Sequence, residues 1–185
     1  KRLDNEKNEE IPTRVVASFS GEDFAINMNT DSIEYVDGVA VGVTTKSDPA
    51  FGIKKEVLEA KGDINLEDVV ALRITASGTN VGDRIYFTTK AATGVSESKS
   101  FAFNMKPSDE LAEYIIYTGT NANWTGIFNS FRLDIIKGPG TFKLKSIDFL
   151  GYEEDKLPYT LTVNTTKYKP YFAPVMRNGE IYVAA

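Results

Sequence analysis

The strongest constraint in this sequence is an alternation with a period of two. Short runs rich in Val, Ile, Phe, Thr and Tyr recur between Gly, Pro, Asn and Asp, and no segment keeps a helical apolar period over three turns. Such a pattern belongs to an all-β chain, because successive residues of a strand point to opposite faces of its sheet. Strands are predicted over 14–20, 31–36, 38–45, 69–76, 83–89, 98–105, 112–117, 128–136 and 140–150. In the clearest of them Val70, Leu72 and Ile74 face one way and Ala71, Arg73 and Thr75 the other. Ile85 with Phe87, Phe101 with Phe103, and Phe131 with Leu133 and Ile135 repeat that split. Over 140–150 the apolar phase slips between Leu144 and Ile147, which predicts a β-bulge at Lys145 or Ser146. Strands of this number with inward aromatic rings imply two antiparallel sheets about 10 Å apart, a jelly-roll β-sandwich. Short helices are expected only at 54–60 and around 107–111.

The chain has 185 residues, room for one sizeable core and a fragment beside it. Residues 1–12 read as a flexible polar leader, 13–152 as the sandwich, and 153–158, with an acidic cluster and Pro158, as a linker. Residues 159–185 read as a β-hairpin tail or the start of a next module, with Asn178-Gly179 as a hairpin turn.

Two absences narrow the chemistry. Without histidine or cysteine the chain has no Ser-His-Asp triad, no thiolate nucleophile, no Cys or His zinc site, no iron–sulfur cluster and no disulfide. A formal charge of −5 and a pI near 4.9 argue against nucleic acid, which needs a basic face, and suit a neutral ligand. No apolar run approaches the ~20 residues of a spanning helix, so membrane insertion is not expected. The charged opening KRLDNEKNEE lacks a signal-peptide pattern and reads as internal to a longer protein. Absent cysteine leaves the compartment open.

Residues 37–51 (DGVAVGVTTKSDPAF), 69–77 (VVALRITAS), 84–90 (RIYFTTK), 98–105 (SKSFAFNM), 121–135 (NANWTGIFNSFRLDI) and 140–151 (GTFKLKSIDFLG), in this order and spacing, form a series. It resembles the carbohydrate-binding-module-like, galactose-binding-type jelly rolls of secreted or surface-layer-anchored Gram-positive polysaccharide-degrading proteins. The similarity covers about residues 14–152. Residues 161–183 resemble the opening of a copper-amine-oxidase-like N-terminal module, without any histidine to bind copper. The first resemblance implies a non-catalytic module, monomeric and extracellular or at the bacterial cell surface, that targets an attached protein to plant or cell-wall polysaccharide. Neighbouring domains of a larger protein are the other expected partners. The alternatives are a structural spacer or protein-interaction domain of a surface-layer protein, and a small glycoside hydrolase or lyase.

Sugars are held by flat aromatic faces and planar hydrogen-bonding side chains. By strand alternation Arg73, Arg84, Tyr86, Arg132 and Asp134 face outward, and they are candidate carbohydrate ligands. Trp124, in the polar loop NANWTG, is either an exposed platform or a lid packed on the core, and Phe51 carries the same two readings. The resemblance also implies a structural Ca²⁺ ion, for which Asp148, Glu22, Asp23 and Asp48 are the candidate ligands. A glycosidase would need only a carboxylate pair, with Asp134, Glu113, Glu34 and Asp148 available, but no loop looks long enough to wall a deep cleft.

Overall fold

The alternation becomes two antiparallel sheets in the computed structural model, which describes residues 13–152, 175–177 and 180–182. In chain order the strands are β1 (Thr13–Ser20), β2 (Phe24–Met28), β3 (Ser32–Val36), β4 (Val39–Thr44), β5 (Ala50–Ile53), β6 (Ala71–Gly78), β7 (Val81–Thr89), β8 (Ser100–Ala102), β9 (Ser108–Tyr117), β10 (Phe128–Ile136) and β11 (Gly140–Tyr152). One sheet runs β3-β4-β11-β6-β9, with β1 also paired to β11; the other runs β2-β5-β10-β7-β8. A single α-helix, α1 (Lys55–Lys61), occurs among the described residues, where the sequence suggests one. The chain divides into two units, residues 1–154 and 155–185. Within the second, β12 (Val175–Arg177) pairs with β13 (Glu180–Tyr182). The predicted leader, the linker and most of the tail with its oxidase-like resemblance lie outside the described residues.

The inward positions are those the alternation assigns. Leu72, Ile74 and Ala76 of β6, Ile85 and Phe87 of β7, and Phe131, Leu133 and Ile135 of β10 are all buried between the sheets. Phe19, Phe128, Phe131 and Phe149 form an aromatic cluster with centroid separations of 4.8 to 6.3 Å. Burying each such side chain contributes roughly 1.5–3 kcal/mol.

Two local features follow from residue type. Asp37 and Gly38 both have positive φ, 50° and 79°, and join Val36 to its partner Val39. This two-residue turn matches the right-handed twist of the strands it links. In β11 the pairing with β6 passes from Leu144 opposite Ala76 to Ser146 opposite Thr75. Lys145 is therefore the extra residue of the expected bulge, and Asp148 is re-aimed to the outer face beyond it.

Three expectations fail. The stretch 107–111 is not helical; β9 begins at Ser108 and pairs along β6. The run 98–105 shortens to the three-residue β8. Strands β2 and β5 have no counterpart in the predicted set, because FAINM and AFGI are too short to show a period.

Candidate functional site

The outer face of the five-stranded sheet carries a connected set of planar polar side chains. Since Phe131, Leu133, Ile85 and Phe87 point inward, Arg132 and Asp134 of β10 and Arg84 and Tyr86 of β7 point out. The strand register sets Arg132 opposite Tyr86 and Asp134 opposite Arg84, while Tyr86 lies opposite Ser100 of β8.

Arg132 is the centre of this set. Its Nε donates to Asp134 Oδ1 at 2.9 Å and its Nη2 to Asp134 Oδ2 at 2.9 Å, a two-pronged pair. Nη2 also donates to Asp48 Oδ1 at 3.2 Å. Asp48 reaches it from the loop before β5, where its backbone is left-handed with φ 54° and its carbonyl accepts from Asn29 Nδ2. So held, the guanidinium lies over the Tyr86 ring, Cζ 5.6 Å from the centroid. The Tyr86 hydroxyl donates to Glu97 Oε1 at 2.8 Å, and Arg84 Nη1 lies 3.4 Å from Glu97 Oε2 and donates to Ser100 Oγ at 3.3 Å.

Burial raises the Asp134 carboxyl above its ordinary pKa, against the opposing pull of Arg132. Burial acts on Arg132 in the lowering direction, but its hydrogen bonds and ion pairs with Asp134, together with Asp48, outweigh it, and the guanidinium is held further up. The two ends differ because Asp134 is the less exposed, 17% of its side chain against 25% for Arg132. Tyr86 is raised, chiefly by its hydrogen bond to Glu97.

Four of the six expected carbohydrate ligands are thus brought together: Tyr86, Arg84, Arg132 and Asp134. The other two lie elsewhere, and Trp124 takes the packed one of its two readings. Arg73 lies on the outer face of the six-stranded sheet, with Nε and Nη2 donating to Asp148 Oδ2 at 3.0 and 2.8 Å. Trp124 is a lid: it is 6% exposed, its indole Nε1 donates to Val69 O at 3.1 Å, and its ring meets Phe87 and Phe101 edge-on at 4.8 and 5.2 Å. Phe51 is likewise buried, 4.1 Å from the Phe142 ring. The sequence reading missed Glu97 and gave Asp48 a different role; both come from loops whose place beside Arg84 and Arg132 depends on strand order.

The residues expected to hold calcium do not converge. Asp148 is buried and occupied by Arg73 and by Ser18 Oγ, which donates to it at 2.5 Å. Asp23 accepts from Ser20 N at 2.7 Å within its own turn, and Asp48 serves Arg132. Among the described residues no three acidic side chains are grouped to hold a metal ion. The donor set does not fit Ca²⁺, which takes six to eight oxygen ligands. The carboxylates weighed for glycoside hydrolysis are also divided, Asp134 on the five-stranded sheet and Glu34, Glu113 and Asp148 on the six-stranded one.

The two-sheet arrangement has solved counterparts. A family 29 carbohydrate-binding module, solved as a variant complexed with mannohexaose, superposes with a TM-score of 0.53 at 12% identity, covering 81% of this chain and 100% of that one. The fold is the two-sheet β-sandwich of that module. A variant complexed with cellulohexaose gives 0.50 at 12% identity over 76% and 95% of the two chains, and a third variant 0.51 at 14% over 79% and 96%. No protein-family model and no curated protein matches the chain by sequence.

Proposed function

We propose that this chain is a non-catalytic carbohydrate-binding module whose ligand face is the outer surface of the five-stranded sheet. The observation that carries the reading is Arg132, fixed by Asp134 and Asp48 over the ring of the part-buried Tyr86. A ring and a guanidinium plane, set in place on strands, supply the C–H stacking and paired hydrogen bonds that vicinal hydroxyls require. Three carboxylates (Asp48, Asp134, Glu97) against two guanidiniums (Arg84, Arg132) favour a neutral polysaccharide over a polyanion. The module would act in an extracellular bacterial protein, keeping an attached domain beside plant or cell-wall polysaccharide. Mannan- and cellulose-type chains are the first ligands to test, since the similar modules were solved with mannohexaose and cellulohexaose. Catalysis is not part of this reading: of the carboxylates weighed for it, Asp134 stands on the five-stranded sheet and Glu34, Glu113 and Asp148 on the six-stranded one, so Asp134 has none of the others as a partner across a cleft.

Calorimetric titration with mannohexaose, cellulohexaose and xylohexaose tests it. At least one is expected to bind with Kd on the order of 10–1000 μM, and Arg132→Ala or Tyr86→Ala is expected to weaken it without unfolding the chain. No heat with any of them, or reducing-sugar release from the polymers, would overturn the reading.

A further inference from the structure

We propose a second sugar subsite, in a groove of about 440 Å³ at the end of the six-stranded sheet, built around Tyr117 and Tyr152. It shares the ligand class of the reading above but none of its residues.

Strands β9 and β11 flank β6, and the register sets Tyr117 and Leu150 on either side of Ala71. Tyr152 follows two residues beyond Leu150, so the two tyrosines border the start of β6. Tyr117 is 69% exposed, the highest value among the described large hydrophobic residues, and Tyr152 is 42% exposed. The groove floor is apolar and buried, formed by Leu66, Val69 and Trp124. Its loop wall is fixed before any ligand arrives: Thr118 Oγ1 donates to Val69 O at 2.7 Å, and Asn121 Nδ2 donates to Ser98 O and Ser100 O at 3.1 and 2.9 Å. The volume falls within the ~300–1,000 Å³ typical of small-molecule sites.

The lining selects the ligand. Two phenol rings with an apolar floor suit the C–H faces of a pyranose, while the phenol hydroxyls, Thr125 and Glu67 can exchange hydrogen bonds with its hydroxyl groups. Glu67 is the one charged group among the lining residues, and the Arg14 guanidinium stands at the edge, its Nε donating to Tyr152 O at 3.0 Å. One carboxylate in the lining and one guanidinium at the edge, already engaged with a backbone carbonyl, give no surplus of charge to select an ion, so the groove takes a neutral sugar.

Trp124 is the only tryptophan and forms part of the groove floor, which makes its fluorescence a local reporter. The full chain, Arg132→Ala, Tyr117→Ala and Tyr117→Phe are titrated with the three hexasaccharides, recording heat and indole emission together. The proposal expects a saturable emission change that survives in Arg132→Ala, weakens at least tenfold in Tyr117→Ala, and largely returns in Tyr117→Phe. Tyr117 is exposed, so its variants should keep their melting temperature. Heat without any emission change overturns the groove subsite and leaves the platform reading standing. An emission change lost in Arg132→Ala but kept in Tyr117→Ala overturns it too. An emission change that depends on Tyr117, with no Arg132-dependent heat, supports the groove and overturns the platform.

Discussion

Two arginine–aspartate pairs stand on opposite outer faces of the sandwich, built from the same groups with nearly the same distances. Arg73–Asp148 joins β6 to β11, and Ser18 Oγ adds β1, so one carboxylate ties three strands together. Arg132–Asp134 connects residues two apart on one strand. It cannot hold strands together, since β10 itself fixes both ends. What it does is orient a guanidinium over Tyr86. The comparison teaches that a polar pair on a sheet is structural when it crosses strands, and is available for a ligand when it repeats along one strand beside an aromatic ring.

The comparison is broken most sharply from the structural side. Asp148→Ala should remove about 2 kcal/mol of stability, seen as a fall of roughly 4–8 °C in melting temperature. The figure sits below that for a fully buried pair because 36% of the Arg73 side chain is exposed. Oligosaccharide affinity should stay within about twofold of the parent. A stable Asp148→Ala chain, or one that has lost ligand, would reverse the roles assigned to the two pairs.

From the other side, Arg132→Ala should weaken glycan binding at least tenfold, about 1.4 kcal/mol, with a change in melting temperature of no more than ~3 °C. Arg132→Lys sharpens the test. It keeps the charge but loses the fork that grips Asp134 and the plane that covers Tyr86, so it should recover only a part of the affinity. Full recovery would mean that charge alone matters, and the stacked geometry would then carry no weight.

Much of this was legible in the sequence, but unevenly. In β6, β7 and β10 each residue's face follows from alternation alone, and even the bulge at Lys145 shows as a slipped phase. The outward positions of Arg73 and Arg132 were equally plain. That they belong to different sheets was not, because strand order is set by pairings between residues far apart in the chain, such as Arg73 with Asp148. The segment DELAE illustrates a second limit. Its residues favour helix, yet β6 offers a full edge of unpaired backbone groups and draws it into β9. Trp124 illustrates a third. Its polar neighbours suggest exposure, but the Asn121 and Asn123 side chains bind the Ser98 and Ser100 carbonyls, leaving the indole to turn inward to Val69. Tyr117 gave no warning, since an outward tyrosine at a strand end becomes notable only with Tyr152 beside it.

The smallest expected effect concerns the charge state of Asp134. Burial raises its carboxyl above the ordinary value despite Arg132, so the folded chain holds that proton more tightly than the unfolded chain does. Such a group contributes stability below its unfolded pKa and loses it as pH rises through the folded one. Asp134→Asn abolishes the titration. The melting temperature of the variant minus that of the parent should therefore rise as pH increases from the ordinary carboxylate range through the raised Asp134 titration and then level off, as the parent alone bears the growing cost of a half-buried carboxylate. Were the Arg132 pair the dominant influence, the folded chain would release the proton more readily and the same difference would fall over that range. A rising curve identifies a carboxylate kept partly out of water to position its arginine; a falling one would make Arg132–Asp134 a stabilising pair like Arg73–Asp148, and the contrast between the two faces would be lost.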